Sequence, residues 1–236
     1  MCCSIPLHAQ DVAFNPATTQ ADFQKFARIV GQAIFATPVQ PARSSGVLGF
    51  DVGVAVTAVK IDESSSYWKR AVPANSNLTR NGYVLVPRLV ASKGFGSGTI
   101  SGSYAKLQNS DIKTWGGAFD VPIIRGSIAT PELAFRASYA TLTGVDVFRE
   151  KTYGGELFLS KGIGPVTPYA AVGRMRTNAR GTIVATSLTP AISLNDVSNL
   201  NRYTVGVRVS LFIPKLVVEA TQAEVRSYAA KISVGF

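Results

Sequence analysis

The sequence predicts an all-β fold: a closed antiparallel transmembrane β-barrel of about 10 strands with up-and-down topology and a short N-terminal amphipathic helix. Apolar and polar residues alternate over ten stretches of the 236-residue chain, as in strands whose two faces meet different surroundings. Hydrophobic residues make up 46% of the chain and charged residues 16%. No run reaches the roughly 18 apolar residues that a membrane helix needs. A closed barrel is then the remaining fold that can satisfy its backbone polar groups in lipid.

The first ten residues, 1–10, predict the remnant of a secretory signal peptide. Small and apolar residues lead to Ala9 and Gln10, as they do before a signal-peptidase site, although the basic start and most of the apolar core are missing. Cys2 and Cys3 both lie in this segment, and neighbouring cysteines cannot cross-link a fold. The mature protein is therefore expected to contain no cysteine.

Residues 11–45 form the second predicted unit, a helical segment that plugs the barrel. Thr19 and Asp22 form a capping-box pattern, and apolar residues with helical spacing follow until Thr37-Pro38 ends the helix. The apolar stripe consists of Phe23, Phe26, Val30 and Ile34. Because this stripe needs a surface to cover, two positions are open. The helix plugs the lumen or periplasmic mouth, or it packs on the rim as a lead-in.

Residues 46–236 are predicted to form the outer-membrane β-barrel. The period of the apolar pattern changes here from 3.6 residues to 2, and the first strand begins near Val47. The other strands are predicted at Gly82–Ser92, Ser97–Leu107, Ile112–Ile124, Glu132–Leu142, Val147–Ser160, Val166–Thr177, Leu200–Ile213, Leu216–Ala223 and Ser227–Phe236. Most have the roughly 9 to 11 residues that a tilted membrane strand needs.

The connections between the strands alternate in length. Tight turns follow the second, fourth, sixth and eighth strands, whereas the first and seventh connections, Ile61–Asn81 and Asn178–Asn199, are long and polar. If both chain ends are periplasmic, the tight turns lie in the periplasm and both long loops lie outside. This asymmetry is typical of outer-membrane barrels.

Seven aromatic residues are expected to form a girdle. On the up-and-down topology they fall toward the outer ends of their strands, at the headgroup level that amphipathic rings prefer. They are Tyr83, Tyr104, Trp115, Tyr139, Tyr153, Tyr203 and Tyr228. Scattered tyrosines in the core of a soluble barrel are the alternative interpretation.

Charged residues are predicted on the strand faces opposite the apolar ones. In lipid each would cost several kcal/mol, so they are expected to face the lumen. They are Asp51, Arg88, Asp120, Arg136, Glu156, Arg174, Arg176, Arg202, Arg208, Glu219 and Lys231. Two interpretations are open: a salt-bridge network that fills a narrow barrel, or a charged conduit with an excess of cations.

The last strand alternates from Ser227 and places Tyr228, Ala230, Ile232, Val234 and Phe236 on one face. It resembles the C-terminal signal of bacterial outer-membrane β-barrels, a final alternating strand that ends on Phe and is recognised by the barrel-assembly machinery. Tyr228 and Phe236 are the residues that carry this resemblance. The closing strand of a soluble sandwich is the alternative.

Further segments carry a wider resemblance: LGFDVGVAVTAVKID, ELAFRASYATLTG, GGELFLSKGIG and TPYAAVG. They resemble segments of small bacterial outer-membrane barrel proteins of unknown function, in which a short helix precedes the barrel. The resemblance covers most of the chain after residue 10 and implies localisation in the bacterial outer membrane. It implies no activity and no functional residues.

Several other functions are not expected. The one histidine, His8, lies in the predicted leader, so the base that barrel hydrolases use is missing and no enzyme is predicted. We find no His or Cys spacing for a metal and no sequence motif for a cofactor. The net charge of +10 is not arranged in a basic block or helical stripe, so nucleic acid is not an expected partner.

Two classes of function are left. In the first, favoured here, the protein is a small pore or transporter for anionic or amphiphilic solutes, with the N-terminal helix as its gate. In the second, the barrel is a structural or interaction protein whose long loops bind a partner or lipopolysaccharide. The expected partners are outer-membrane lipid and lipopolysaccharide, the assembly machinery and a small solute.

Overall fold

The computed structural model of the protein describes residues 12–42, 46, 48–74, 76, 78–107, 110–127, 129–185 and 190–235. Within this part of the chain the fold is a closed antiparallel barrel of ten long strands, with one helix before it, so the predicted fold class is confirmed. The predicted leader, including Cys2, Cys3 and His8, and the terminal Phe236 lie outside the described residues.

Two helices and eleven strands make up the described chain. They are α1 (Gln20–Ile34), β1 (Phe50–Lys60), α2 (Ser66–Lys69), β2 (Thr79–Arg80), β3 (Tyr83–Phe95), β4 (Gly98–Lys106), β5 (Lys113–Ile124), β6 (Glu132–Thr143), β7 (Phe148–Ser160), β8 (Val166–Ile183), β9 (Ile192–Ser210), β10 (Pro214–Gln222) and β11 (Arg226–Gly235). Neither α1 nor α2 is long and apolar enough to span a membrane.

The barrel closes because β1 pairs with both β3 and β11. Each other long strand pairs with its neighbours in the chain, and the two-residue strand β2 adds to β3. The connections of β3 to β4, β5 to β6, β7 to β8 and β9 to β10 lie at one end, here called the turn end. The other connections lie at the opposite end, the loop end, which also carries α2.

Alternation along the strands separates a lumen face from an outward face. On β11, for example, Tyr228, Ile232 and Val234 are exposed, whereas Ser227, Lys231 and Ser233 are buried. Val54 on β1 and Val205 on β9 are likewise exposed, at 47% and 61%. Along the middle of the strands the outward face is therefore apolar, and the polar side chains there are turned inward.

The predicted long connection Asn178–Asn199 is wrong, because most of it is strand. β8 continues to Ile183 and β9 begins at Ile192, and the two strands pair without interruption from Val166–Val209 to Ile183–Ile192. Three inward residues of the extension, Ala179, Ile183 and Leu194, pack on the N-terminal segment and belong to its core, and Asp196 is also inward and buried. Their outward neighbours are polar, which makes the segment look like a loop in the sequence.

Candidate functional site in the barrel lumen

The N-terminal segment runs through the lumen. At the loop end, Ala13 and Asn15 donate backbone hydrogen bonds to the carbonyl oxygens of Ala71 and Arg70 in the first loop. At the turn end, the carbonyl oxygen of Gly49 accepts a hydrogen bond from Gly94. Residues 31–42 are all buried along this path. The segment therefore enters the lumen at the loop end, which differs from the expectation that both chain ends lie on the periplasmic side.

Helix α1 begins with a capping box and a contact to the first loop. The side chain of Thr19 accepts a hydrogen bond from the backbone N–H of Asp22, and Asp22 accepts one from the backbone N–H of Thr19. Asp22 also accepts hydrogen bonds from Ser66 and Arg70, each at 2.6 Å. Burial acts to raise the pKa of Asp22, but the hydrogen bonds from Ser66, Thr19 and Arg70 outweigh it and hold this pKa below its usual range.

Aromatic rings fill the lumen beside α1. Phe26 lies 5.4 Å from Phe148 on β7 and 5.7 Å from Phe14 between ring centroids, and Phe23 lies 5.4 Å from Phe14. Trp68 of α2 covers Phe26 from the loop end at 5.9 Å. A small apolar cavity of about 50 Å³ lies between α1 and strands β3 to β6.

The predicted plug residues Phe23, Phe26 and Ile34 are at most 5% exposed, and Val30 is partly buried against the same core. This core places their stripe against the lumen wall and the first loop, not on the outer rim.

Glycines bring α1 and the following segment close to the wall. A Cβ at Gly31 would lie 2.5 Å from Oε1 of Glu150, and one at Gly116 would lie 2.7 Å from Cβ of Ala36. On β8, a Cβ at Gly181 would lie 2.5 Å from the ring of Phe23. Side chains at these positions would push the segment away from the wall.

Arg88 of β3 binds the C-terminal end of α1. Its guanidinium donates to the carbonyl oxygens of Ala33 and Phe35, at 2.8 and 3.1 Å. The last turn of α1 contains no basic residue of its own. The wall thus supplies the cation that stabilises a helix C-terminus.

The segment after α1 is held by polar groups of the wall. Lys231 donates to the carbonyl oxygen of Pro38 and to Oε1 of Gln40, at 3.1 and 2.9 Å. Arg136 donates to the carbonyl oxygen of Gln40, and Thr37 donates to Glu219. Backbone carbonyls that would be unsatisfied in an apolar lumen therefore have partners.

Charged residues of opposite sign alternate around the lumen. Arg136 pairs with Asp120 through two hydrogen bonds of 2.7 and 2.9 Å, and its guanidinium lies over the ring of Phe158. Glu156 pairs with Arg202 at 3.1 Å. Removing one member of such a buried pair typically costs about 3 to 5 kcal/mol, since the other charge is left unpaired.

The same alternation continues on the far side of the lumen. Asp51 pairs with Lys231 at 2.7 Å and with Lys215 at 3.3 Å. Glu219 accepts a hydrogen bond of 2.7 Å from Tyr169. The charges are thus used to join strands and to hold the plug.

The structure places nine of the predicted lumen residues on the lumen face: Asp51, Arg88, Asp120, Arg136, Glu156, Arg202, Arg208, Glu219 and Lys231. The placement of Arg174 and Arg176 in the lumen was wrong. They share the outward face of β8 with Val172 and are exposed, whereas Met175 and Thr177 face the lumen. Their charge is accommodated because they lie beyond the apolar part of the strand.

Glu150 is a lumen residue that the sequence analysis missed. It is 1% exposed, and its carboxylate accepts no hydrogen bond from the described residues. Thr152 and Thr177 are also buried without a hydroxyl partner there. The sequence could have indicated this position, because Glu150, Thr152 and Glu156 are separated by even numbers of residues and therefore share one face of the strand. With the buried Glu150 and Asp196 added and two arginines removed, the predicted excess of cations in the lumen disappears.

The seven girdle aromatics all lie at outward strand positions toward the loop end. Tyr104 and Trp115 are paired on β4 and β5, with ring centroids 4.3 Å apart, and Tyr139 pairs with Tyr153. Tyr203 pairs with Gln222, the last residue of β10. It therefore lies at the level of the other girdle residues, although β9 extends beyond it at the loop end.

Tyr228 of the predicted assembly signal lies on the outward face, 47% exposed. With Phe236 outside the described residues, recognition by the assembly machinery stays a prediction. The described residues contain no group of three or more His, Cys, Asp or Glu that could hold a metal.

No protein-family model and no curated protein matches the sequence. Among solved structures, the chain is similar to the N-terminal β-barrel domain of OprF from Pseudomonas aeruginosa, with 12% identity, a TM-score of 0.35 and coverage of 79% of this chain and 96% of that one. It is also similar to Neisserial surface protein A, with 12% identity, a TM-score of 0.34 and coverage of 79% and 97%. A third similar structure is the outer membrane protein Omp33 of Acinetobacter baumannii, with 9% identity, a TM-score of 0.34 and coverage of 80% and 100%.

Proposed function

We propose that the protein is a bacterial outer-membrane β-barrel whose lumen is closed by its own N-terminal segment. The continuous apolar outward face supports the membrane location, because a surface of this extent is not stable in water. Closure of the barrel supports it as well, since each long strand has a partner on both sides and no edge meets lipid.

The filled lumen is the observation that carries the functional conclusion. Residues 31–42 are buried throughout, and Arg88, Arg136 and Lys231 bind the backbone of this segment from three different strands. A core of aromatic rings closes the loop end above them. The protein is therefore non-conducting in this state, and a structural or interaction role fits it better than an open pore.

A gated conduit is the second candidate, and the wall beside α1 favours it. Glu150, Thr152 and Thr177 are buried polar residues with no hydrogen-bond partner among the described residues. A wall built only to hold an apolar helix would be more stable without them. They would be hydrated if α1 left the lumen. The balance of charges in the corrected lumen set no longer favours anionic solutes.

Single-channel recording of the refolded full-length chain tests this proposal. Folding is verified by heat-modifiable migration, insertion by flotation with lipid vesicles, and a bacterial porin in the same planar bilayer is the positive control. We expect insertion without current. Stable unitary currents from the wild-type chain would contradict a closed lumen. Failure to insert, or fractionation of the expressed protein away from the outer membrane, would contradict the membrane location.

A further inference from the structure

Strands β7 and β8 carry a group of cations on their outward face, beyond the apolar part of the barrel. On β8, Val172 is the last apolar residue of this face, and basic or polar residues follow it toward the loop end. The group, called the basic patch, consists of Arg149, Lys151, Arg174, Arg176 and Arg180, all of which are exposed.

The surroundings of the basic patch are polar but not acidic. Outward positions of the neighbouring strand β9 place Asn195, Asn199 and Asn201 beside Arg180, Arg176 and Arg174. No Asp or Glu occupies an outward position on β7, β8 or β9. Among the described residues, no ion pair involves a member of the patch. The members of the patch thus concentrate positive charge and form no ion pair, although the exposed carboxylate of Asp146 lines the same hollow as Arg149 and Arg180.

Two of its members are direct cross-strand neighbours of like charge. Arg149 pairs with Arg180. At the next outward position toward the turn end, Lys151 pairs with Asn178. Like charges directly opposite each other destabilise a sheet, and diagonal neighbours at roughly 7 to 8 Å are still within reach. An anion bound between them would remove this repulsion.

The position of the basic patch along the barrel axis indicates where a bound anion would come from. Tyr153 of the girdle pairs with Arg176. Tyr203 of the girdle pairs with Val172, the outward residue that precedes Arg174 on β8. The girdle marks the headgroup level of a membrane. Because the patch begins there and its side chains point away from the barrel axis, it faces the headgroups of the surrounding leaflet.

A hollow beside the patch has room for part of a headgroup. It measures about 540 Å³ and is lined by Arg149, Lys151, Asn178 and Arg180, by the buried Glu150, and by residues 141–146 at the end of β6 and in the turn before β7. Asp146 of that turn is its one exposed carboxylate. Arg side chains bind phosphate oxygens through two parallel hydrogen bonds, which suits this cluster to phosphate.

We propose that the basic patch binds the phosphate groups of a phosphorylated glycolipid in the outer leaflet, the class to which lipopolysaccharide belongs. This inference rests on the proposed membrane location. It places lipid recognition on the outward strand face instead of the long loops. A soluble polyanion is the less suitable ligand, because Arg174 and Arg176 lie at the level of the girdle and are approached from within the membrane plane.

The test compares two triple variants of the full-length chain in neutral detergent. Arg174→Gln, Arg176→Gln and Arg180→Gln remove cations of the patch. Lys60→Gln, Lys93→Gln and Lys106→Gln remove three outward, exposed cations of other strands, none of which lies opposite another of the three, and change the net charge equally. Retention of lipopolysaccharide and of the same glycolipid without its phosphates is measured by native mass spectrometry. Inorganic phosphate and a sulfated oligosaccharide are added as soluble competitors.

We expect the patch variant to bind lipopolysaccharide more than tenfold less tightly, since each cation near a charged leaflet contributes roughly a fivefold increase in affinity. The control variant should keep most of the wild-type affinity, because its three cations are spread over β1, β3 and β4 and do not form one cluster. Equal losses in both variants, or equal binding of the dephosphorylated glycolipid, would overturn the proposal. Full displacement by the sulfated oligosaccharide would assign the patch to a soluble polyanion instead. Flotation of both variants with vesicles separates these outcomes from failure of the membrane location.

Discussion

Glu156 on β7 forms an ion pair with Arg202 on β9 across the whole width of the intervening strand, with 3.1 Å between Oε1 and Nε. Gly173 of β8 is the Cα partner of both residues. A Cβ at Gly173 would lie 2.5 Å from Cγ of Glu156, well inside the roughly 3.5 to 4.0 Å at which carbon atoms attract each other. The ion pair is therefore made through the gap that a glycine leaves in β8.

We expect Gly173→Ala to destabilise the barrel by about 3 to 5 kcal/mol, because displaced Glu156 would leave two buried charges unpaired. The same Cβ would also lie 2.3 Å from the carbonyl oxygen of Gly155 and add to this effect. The measurement is the urea dependence of the heat-modifiable folded band in vesicles. Gly102→Ala on β4 is the matched control, since a Cβ there meets open space. The same urea midpoint for both variants would show that the ion pair does not depend on Gly173.

The second prediction concerns the position of the apolar outward face along β9 relative to the membrane midplane. Val207 lies at an outward position on β9 between Pro168 and Val218, deeper in the apolar face than Tyr203 of the girdle. Val207→Arg should reduce the free energy of unfolding by roughly 2 to 4 kcal/mol near the midplane, whereas a cation near the interface costs about 0 to 1. Ser193→Arg, on the same face of β9 beyond the girdle and opposite Thr182, supplies that comparison. Equal effects in the urea titration would mean that the apolar band is misplaced along β9.

The same face shows how far the sequence could predict this protein. Period-2 alternation located the ten barrel strands and nine of the lumen charges, because within the apolar band the two faces differ in polarity. Beyond the band the outward face is also polar, so Arg174 and Arg176 lost the chemical contrast that indicates facing. Asn178, Arg180, Asn195 and Asn199 concealed the ends of β8 and β9 for the same reason.

The path of the N-terminal segment could not be read from its pattern. The apolar stripe of α1 shows that the helix must be covered, but it does not show from which end the chain enters. That direction is set by contacts between residues distant in sequence, such as Gln20 with Asn195 and Gln32 with Ser227. Gly31, Gly116 and Gly181 admit the segment, and a single sequence does not distinguish these glycines from those of turns.

Entry at the loop end predicts that residues near the start of the described chain are exposed at the cell surface. In a Cys2→Ser and Cys3→Ser background, Ala17→Cys should react with a membrane-impermeant maleimide on intact cells, because Ala17 is exposed at the loop end. Gly162→Cys, in the turn between β7 and β8, should react only after the outer membrane is permeabilised. The opposite labelling pattern would show that the segment enters from the periplasmic side.

The last prediction separates a permanent plug from a gate. Phe26 is 1% exposed within the ring cluster of Phe14, Trp68 and Phe148. A carboxylate buried there without a partner would cost several kcal/mol. We therefore expect Phe26→Asp to release α1 while the strand pairing keeps the barrel folded and heat-modifiable. Released α1 should be cleaved by trypsin after Lys25 and Arg28, whose backbone in the wild type is part of the helix packed in the lumen.

Ala21→Asp introduces the same residue at an exposed position in the first turn of α1, where a negative charge is favourable. It should remain resistant to trypsin and silent in a planar bilayer. If Phe26→Asp is cleaved and conducts, the polar wall formed by Glu150, Thr152 and Thr177 lines a channel, and the gated conduit is the correct assignment. If it is cleaved and stays silent, the side chains of the wall close the lumen by themselves, and the barrel has a structural or interaction role. Resistance of inserted Phe26→Asp to trypsin would show that the aromatic cluster does not hold the plug.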